Sequence, residues 1–169
     1  MATKPVPVIP KIYRDALGDR DPLKAQQEAP ARLRALIAGL DDRQLSTPEA
    51  PGKWSIKQVL EHLADGEVIY GARMRFVAGH DRPPIPGYDQ DAFATHLGAQ
   101  SARAEDLLRS FELMRAVNHE FLSRLPAGAR ARVGIHSERG EESIEGMFLM
   151  LAGHDFVHEA QIRRIRDNR

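Results

Sequence analysis

The 169-residue sequence contains no cysteine. Disulfide bridges and thiolate metal ligands are therefore excluded, and the absence fits a reducing compartment. Long apolar runs are also missing, because the longest, near residues 147–152, is far shorter than the ~20 residues of a membrane helix. Residues 1–10 are interrupted by prolines and lack the apolar core of a signal peptide. We therefore expect a cytoplasmic protein with no membrane partner.

The sequence has no excess of either charge, since 24 basic and 24 acidic residues are interspersed along it. Nucleic-acid-binding proteins usually carry a basic surface, so we expect no nucleic acid partner. The length and the ordinary apolar content fit one domain with a sizeable core. We predict an extended N-terminal arm over residues 1–20 and a single domain over residues 21–169.

Four segments carry apolar residues at the three-to-four spacing of amphipathic helices. Their predicted N-cap residues are Asp21, Ser55, Ser101 and Ser143. Pro30 falls inside the first segment and predicts a kink or a late restart of that helix. There is no convincing strand pattern, and a short strand over residues 132–135 is compatible with the sequence but not required. We predict an all-α four-helix bundle, in which two long connections permit parallel neighbours.

The second helix has the clearest start. Ser55 is followed three residues later by Gln58, the pattern of a capping box. Trp54 and Val59 occupy the positions of a hydrophobic staple around it. Trp54 is the only tryptophan, and this staple together with core packing is its expected role.

Two histidines, His154 and His158, lie four residues apart in the fourth segment. Positions i and i+4 share one helix face, so the two imidazoles can bind one divalent cation from the same side. His62, on the second helix, would supply a third imidazole and leave open positions, as in catalytic zinc sites. The alternative is that each is a core histidine bonded to a carbonyl or carboxylate, since an unpaired polar group there is costly.

The other four histidines are interpreted as surface or loop-fixing residues: His80, His96, His119 and His136. His119 is expected on the solvent side of the third helix. His136 is expected in the loop before the fourth helix.

Polar neighbours of the three histidines are candidates for supporting roles. Asp65, one turn after His62, is positioned to accept the second ring N–H and fix the tautomer; the alternative is a solvated acid. Gln161, three residues after His158, is a candidate for hydrogen bonding in the same pocket; the alternative is an exposed side chain. Asp155 is about 100° around the helix from His154 and is expected to face a neighbouring helix or turn.

The sequence resembles the DinB-like (DinB/YfiT-like) family of metalloenzymes. The resemblance is carried by residues 51–56 running into 59–65, by 86–91 and by 154–162, and it extends over residues 12–166. It implies a bundle in up-down-down-up order. It also implies that His62, His154 and His158 bind one divalent metal ion per chain, zinc or nickel, and that the protein forms homodimers.

What the resemblance implies about activity is broader. The family includes thiol transferases that use low-molecular-weight bacterial thiols, an isomerase branch and members without known activity. The DNA-damage induction of its namesake concerns expression and does not imply DNA binding. Many relatives have a further histidine immediately before the last ligand, where this chain has Val157.

The leading hypothesis is a metal-dependent enzyme of the thiol-transferase or hydrolase type. It would act on a small-molecule substrate, with a low-molecular-weight thiol as the candidate cosubstrate. Asp65 and Gln161 would assist in the pocket, and no separate general base is identified. Zinc suits three imidazoles, but nickel binds the same ligands. The alternative hypothesis is a non-catalytic metal- or ligand-binding bundle, such as a stress-induced dimer.

Overall fold

The computed structural model describes residues 9–168, and its centre is a bundle of four long helices. In chain order the helices are α1 (Lys11–Leu17), α2 (Pro22–Ile37), α3 (Asp42–Ser46), α4 (Ile56–Gly79), α5 (Gln90–His96), α6 (Ala104–Ser123) and α7 (Ile144–Asp167). The strands are β1 (Pro84–Ile85), β2 (Val133–His136) and β3 (Gly140–Ser143). Helices α2, α4, α6 and α7 form the predicted bundle in up-down-down-up order. The prediction of an all-α four-helix bundle is confirmed.

Two helix pairs of the bundle run parallel. At the starts of α2 and α7, the Gln26 side chain donates to the carbonyl of Phe148 at 2.6 Å. Helices α4 and α6 pack against each other and also run parallel, because residues 80–103 carry the chain back to the end of the bundle at which α4 began. Helix α7 therefore packs antiparallel to α4, which places the second half of α7 beside the first turns of α4.

The predicted capping box at the start of α4 is present. The Ser55 hydroxyl accepts from the Gln58 N–H, and the Gln58 side chain accepts from the Ser55 N–H at 2.9 Å. Trp54 is partly buried against the core beside this turn. The cap fixes the helix start about two turns before His62.

Helix α2 runs through Pro30 without a restart. Proline has no N–H, so the carbonyl of Gln26, four residues earlier, lacks its usual helical partner. The Arg115 guanidinium of α6 donates to that carbonyl at 3.1 Å. The bond lost to proline is thus replaced by a contact between helices.

Arg115 is also the centre of a buried ionic cluster. It donates to both oxygens of the Asp155 carboxylate, at 2.8 and 3.0 Å, and to Glu67 at 2.8 Å. The Asn118 amide donates to Glu67 as well. Asp155 therefore faces a neighbouring helix, as its angular position predicted. The cluster joins α4, α6 and α7 one residue away from His154.

The predicted extended arm is wrong over residues 11–17, which form α1. Pro10 stands just before this helix, where a missing N–H costs nothing. Helix α1 packs on α7, where the Gly153 Cα lies against the backbone of Tyr13. Residues 1–8 of the predicted arm lie outside the described residues, and the boundary at residue 21 stays a prediction.

The structure also contains a small sheet that the sequence did not predict. Strand β2 pairs in parallel with β1 and antiparallel with β3. Strands of two to four residues are too short for an alternating pattern to be recognised. Helix α3, with its own capping box at Asp41, was likewise not predicted. Within residues 9–168, no helix combines the length and apolar character needed to cross a membrane.

Two histidines lie in different surroundings from those expected. His136 belongs to β2 and is only 2% exposed, so it is not a loop or surface residue. His119 contacts the Gln26 side chain at 2.8 Å and is partly buried, so it is not on the solvent side of its helix. Both side chains are buried by contacts with elements that lie far away in the sequence.

Candidate metal centre and the adjoining cavity

Three imidazoles converge where α4 and α7 cross. His62 comes from α4, and His154 and His158 come from successive turns of α7. One ring nitrogen from each lies within 4.8 Å of those of the other two. The Nε2 atoms of His62 and His154 are 2.9 Å apart. The structure thus brings together the three histidines that the sequence singled out.

Burial keeps these imidazoles neutral near pH 7. It lowers the pKa of His62 to about 3, with His158 nearby adding to the effect. It lowers the pKa of His158 to about 4, although the contact with Gln161 opposes the shift. The pKa of His154 is also held well below its ordinary value by burial and by the two other imidazoles. Neutral imidazoles keep the lone pair that a metal ion needs.

Gln161 makes the predicted contact in the pocket. Its side-chain oxygen lies 2.7 Å from Nδ1 of His158 and accepts the proton there. The other nitrogen, Nε2, is then left with a free lone pair. A fixed tautomer of this kind is typical of histidines that bind metals.

The predicted bond between Asp65 and His62 is not formed. Nδ1 of His62 and Oδ2 of Asp65 are both buried without a hydrogen-bond partner. The His62 ring is turned so that Nε2 faces His154, and spacing along one helix does not determine that rotation. Burial, reinforced by Glu61, raises the pKa of Asp65 to about 6. A role for Asp65 in the pocket stays a prediction.

Aromatic rings enclose the imidazoles on two sides. The Trp54 ring lies 4.9 Å from that of His62 and is stacked 6.3 Å from that of His158, measured between centroids. The Tyr13 ring on α1 meets His154 edge-on at 5.5 Å. Trp54 therefore shields the site in addition to its predicted role in packing. Tyr13 was missed because α1 itself was not predicted.

A cavity of about 430 Å³ adjoins His62 and His154. Its polar lining comes from α1, α4, the 80–90 connection and β2 with its turn: Tyr13, Tyr70, Arg73, Tyr88, Asp89, Gln90, His136, Glu138 and Arg139. Sequence analysis identified none of these residues as part of a site. For Arg73 a signal existed, since eleven residues is three helical turns and places it on nearly the same face as His62.

The fold and the site define a class: four-helix-bundle proteins with a buried cluster of three imidazoles. The sequence profile of the DinB superfamily matches residues 25–162. The chain belongs to this superfamily, and the resemblance noted in the sequence is confirmed.

Relatives share most of their length with this chain. It is 29% identical over 154 residues to a Geobacillus thermodenitrificans protein named "Putative metal-dependent hydrolase", covering 85% of this chain and 82% of that protein. It is 24% identical over 146 residues to "Putative metal-dependent hydrolase YfiT" of Bacillus subtilis, covering 84% of this chain and 82% of that protein.

The solved structure of Bacillus subtilis YfiT has a similar fold. It is described as a probable metal-dependent hydrolase with an unusual four-helix bundle topology. It superposes with a TM-score of 0.81 and 23% sequence identity, covering 98% of this chain and 92% of that one. This likeness establishes the bundle topology.

The lowered histidine pKa values predict how the stability of the metal-free protein changes with pH. Unfolded histidines protonate near pH 6.5, whereas His62 stays neutral in the folded state down to about pH 3. The contribution of His62 to the free energy of unfolding is therefore fully present above pH 6.5 and decreases as the pH falls below that value. We expect its loss between pH 6 and 4 to be about 1.4 kcal/mol per pH unit.

The control for this prediction is His62→Gln, measured by urea unfolding at each pH. Subtracting the variant from the wild type removes the contributions of the other titrating groups. The wild-type free energy of unfolding should fall more steeply than that of the variant. Parallel curves would contradict a buried, neutral His62.

Proposed function

We propose that the protein is a metal-dependent enzyme of the hydrolase or thiol-transferase type. In this proposal His62, His154 and His158 bind one divalent metal ion, zinc or nickel. The main support for this proposal is that three neutral imidazoles converge beside a cavity of about 430 Å³. The names of the relatives, as metal-dependent hydrolases, support the same proposal.

The donor set fits a divalent cation. Three uncharged nitrogen ligands on two helices match zinc and nickel, and the chain has no thiolates to compete. The alternative, in which the three are core histidines that bind no metal, requires each imidazole to be hydrogen-bonded to a carbonyl or carboxylate. Nδ1 of His62 has no partner and its Nε2 meets another imidazole, which argues against that alternative.

A divalent cation held by three imidazoles lowers the pKa of a bound water or thiol and so supplies a nucleophile near neutral pH. The chain's own residues provide the setting. Gln161 holds the His158 tautomer, and the rings of Trp54 and Tyr13 exclude water from two sides of the imidazoles. Asp65 lies one helical turn after His62, and burial raises the pKa of its carboxyl to about 6. It does not line the cavity, and its supporting role beside His62 stays a prediction.

The non-catalytic bundle remains the second candidate. A structural metal site normally has all its positions filled by protein side chains. The cavity lined by His62 and His154 favours an enzyme, because it offers room for a substrate beside the ligands. A thiol cosubstrate, the choice between zinc and nickel, a homodimer and a cytoplasmic location all stay predictions.

Metal content tests the proposal. Tag-free protein, reconstituted with zinc or nickel and dialysed, is expected to contain about one metal ion per chain by elemental mass spectrometry. His62→Ala and His158→Ala should each lose most of it, because two imidazoles bind far more weakly than three.

The matched control is His96→Ala, since His96 is exposed on α5 and does not line the cavity. It should keep the full metal content. An unloaded wild type, or equal loading of all variants, would refute the three-histidine site. A loaded wild type that hydrolyses no ester or amide and transfers no thiol in a substrate screen would favour the non-catalytic bundle.

A further inference from the structure

Arg73 is a buried cation without a carboxylate partner. It is 4% exposed, and no carboxylate of residues 9–168 lies within salt-bridge distance of it. One guanidinium nitrogen, Nη2, donates to the carbonyl of Pro86. The other two, Nε and Nη1, have no hydrogen-bond partner. A buried charge with two unused donors is costly unless a ligand accepts them.

The guanidinium is held in place by its surroundings. Its carbon atom lies 4.8 Å from the centroid of the Tyr70 ring and 5.7 Å from that of Tyr88. The bond to Pro86 fixes the far edge of the group. Arg73 is therefore positioned before any ligand arrives, which reduces the entropy lost on binding.

His136 supplies a second unused donor in the same cavity. Its Nδ1 accepts the backbone N–H of Glu138 at 3.1 Å, so the ring proton is on Nε2. Nε2 is buried and has no partner, and the whole residue is 2% exposed. Burial and nearby arginines lower the pKa of His136, which favours this neutral form.

The other charged side chains that line the cavity do not supply an unpaired buried cation. Arg139 donates to the Glu142 carboxylate and is neutralised by it. Glu138 and Asp89 line the cavity but are exposed, and neither carboxylate is within salt-bridge distance of Arg73. The Asp89 carboxylate accepts from the backbone N–H groups of Asp91 and Ala92. The unsatisfied positive charge in the cavity thus belongs to Arg73.

We propose that Arg73 and His136 form a binding site for an oxyanion, a carboxylate or a phosphate, on a small-molecule substrate. Pro86 takes only one of the two Nη2 hydrogens, so Nη2 together with Nε or Nη1 still presents one edge of paired N–H groups to the two oxygens of such a group. A third donor comes from the His136 ring. Both residues line the cavity that also contains His62 and His154. The oxyanion would orient the substrate while its reacting group lies at the imidazoles; only this last statement rests on the proposed function.

The site is tested in metal-free protein, so that its outcome is independent of metal binding. Chelator is removed by dialysis because it is itself a polycarboxylate. Sodium phosphate and sodium succinate are titrated separately at constant ionic strength, with sodium chloride as the reference. The readouts are calorimetry and the ¹⁵N resonances of Arg73 Nε and His136 Nε2.

We expect saturable binding of at least one probe and shifts of both resonances. Arg73→Met keeps the apolar stem but removes the charged donors, and should weaken binding by about ten- to hundredfold. Glu138→Gln should tighten binding by removing a nearby negative charge. The matched control is Arg75→Met on the same helix, whose guanidinium bonds Gly71 and Asn118 outside the cavity and whose loss should leave binding unchanged.

His136→Phe gives a second, independent variant if Arg73→Met does not fold, as judged by circular dichroism. Binding of succinate alone would identify a carboxylate substrate, and binding of phosphate alone a phosphate ester. Absence of binding by both probes, or equal binding by wild type, Arg73→Met and His136→Phe, would overturn the oxyanion site. Oxyanion binding by a protein that takes up no metal would refute the proposed enzyme and leave this site standing.

Discussion

Gly153→Ala is expected to displace α1 from the bundle. A Cβ at this position would lie 2.0 Å from the carbonyl oxygen of Tyr13 and 2.6 Å from its carbonyl carbon. These are backbone atoms, which cannot rotate aside as a side chain can. Overpacking of this kind typically costs about 1–3 kcal/mol, and here we expect the upper end. The measurement is urea unfolding together with hydrogen exchange of the α1 amides.

The same substitution should alter the site, because α1 carries Tyr13 against His154 and forms part of the cavity wall. The control is Gly79→Ala at the end of α4, where a Cβ meets no atom within 4 Å. That variant should unfold like the wild type. Unchanged protection of the α1 amides in Gly153→Ala would contradict this prediction, because it would show that α1 stays packed on α7.

Arg115→Met is expected to destabilise the protein by about 3–5 kcal/mol, the usual cost of removing one partner from a buried ion pair. The variant leaves Glu67 and Asp155, each with a side chain 1% exposed, without their cation. It also removes the donor to the carbonyl freed by Pro30. Chemical denaturation measures the loss.

The comparison for Arg115 is Arg34→Met, which removes exposed ion pairs to Glu105 and Glu112. Exposed pairs contribute about 0–1 kcal/mol, so this variant should be nearly as stable as the wild type. Adding Glu67→Gln and Asp155→Asn to Arg115→Met should restore part of the loss, because no charge then remains in this cluster. Equal effects of Arg115→Met and Arg34→Met would contradict the importance of the buried cluster.

Local signals determined which features could be predicted. The capping box of Ser55 and Gln58 depends on residues three apart, and its geometry follows from the sequence alone. The pairing of His154 with His158 depends only on helix periodicity. These two features, with the position of His62 on a second amphipathic helix, were enough to indicate the cluster of three imidazoles.

Features set by contacts between distant segments were not predictable in the same way. Helix α1 is seven residues long, and it is stabilised by α7, which lies more than 120 residues further along the chain. The donors of Arg73 and His136 meet in one cavity only because β2 pairs with β1 after α4. The missing bond from Asp65 to His62 has the same origin, since the ring turns toward His154 on another helix.

The order of the histidines along the chain bears on biosynthesis. A nascent chain that ends at Ser143 contains only one of the three clustered imidazoles, because the other two lie in α7. Helix α7 also supplies the surface on which α1, α2 and α4 pack. Contacts of such long sequence separation form late, and one imidazole holds a cation weakly. If the proposed metal ion binds here, its loading would follow the docking of α7, and an incompletely synthesised chain would not retain it.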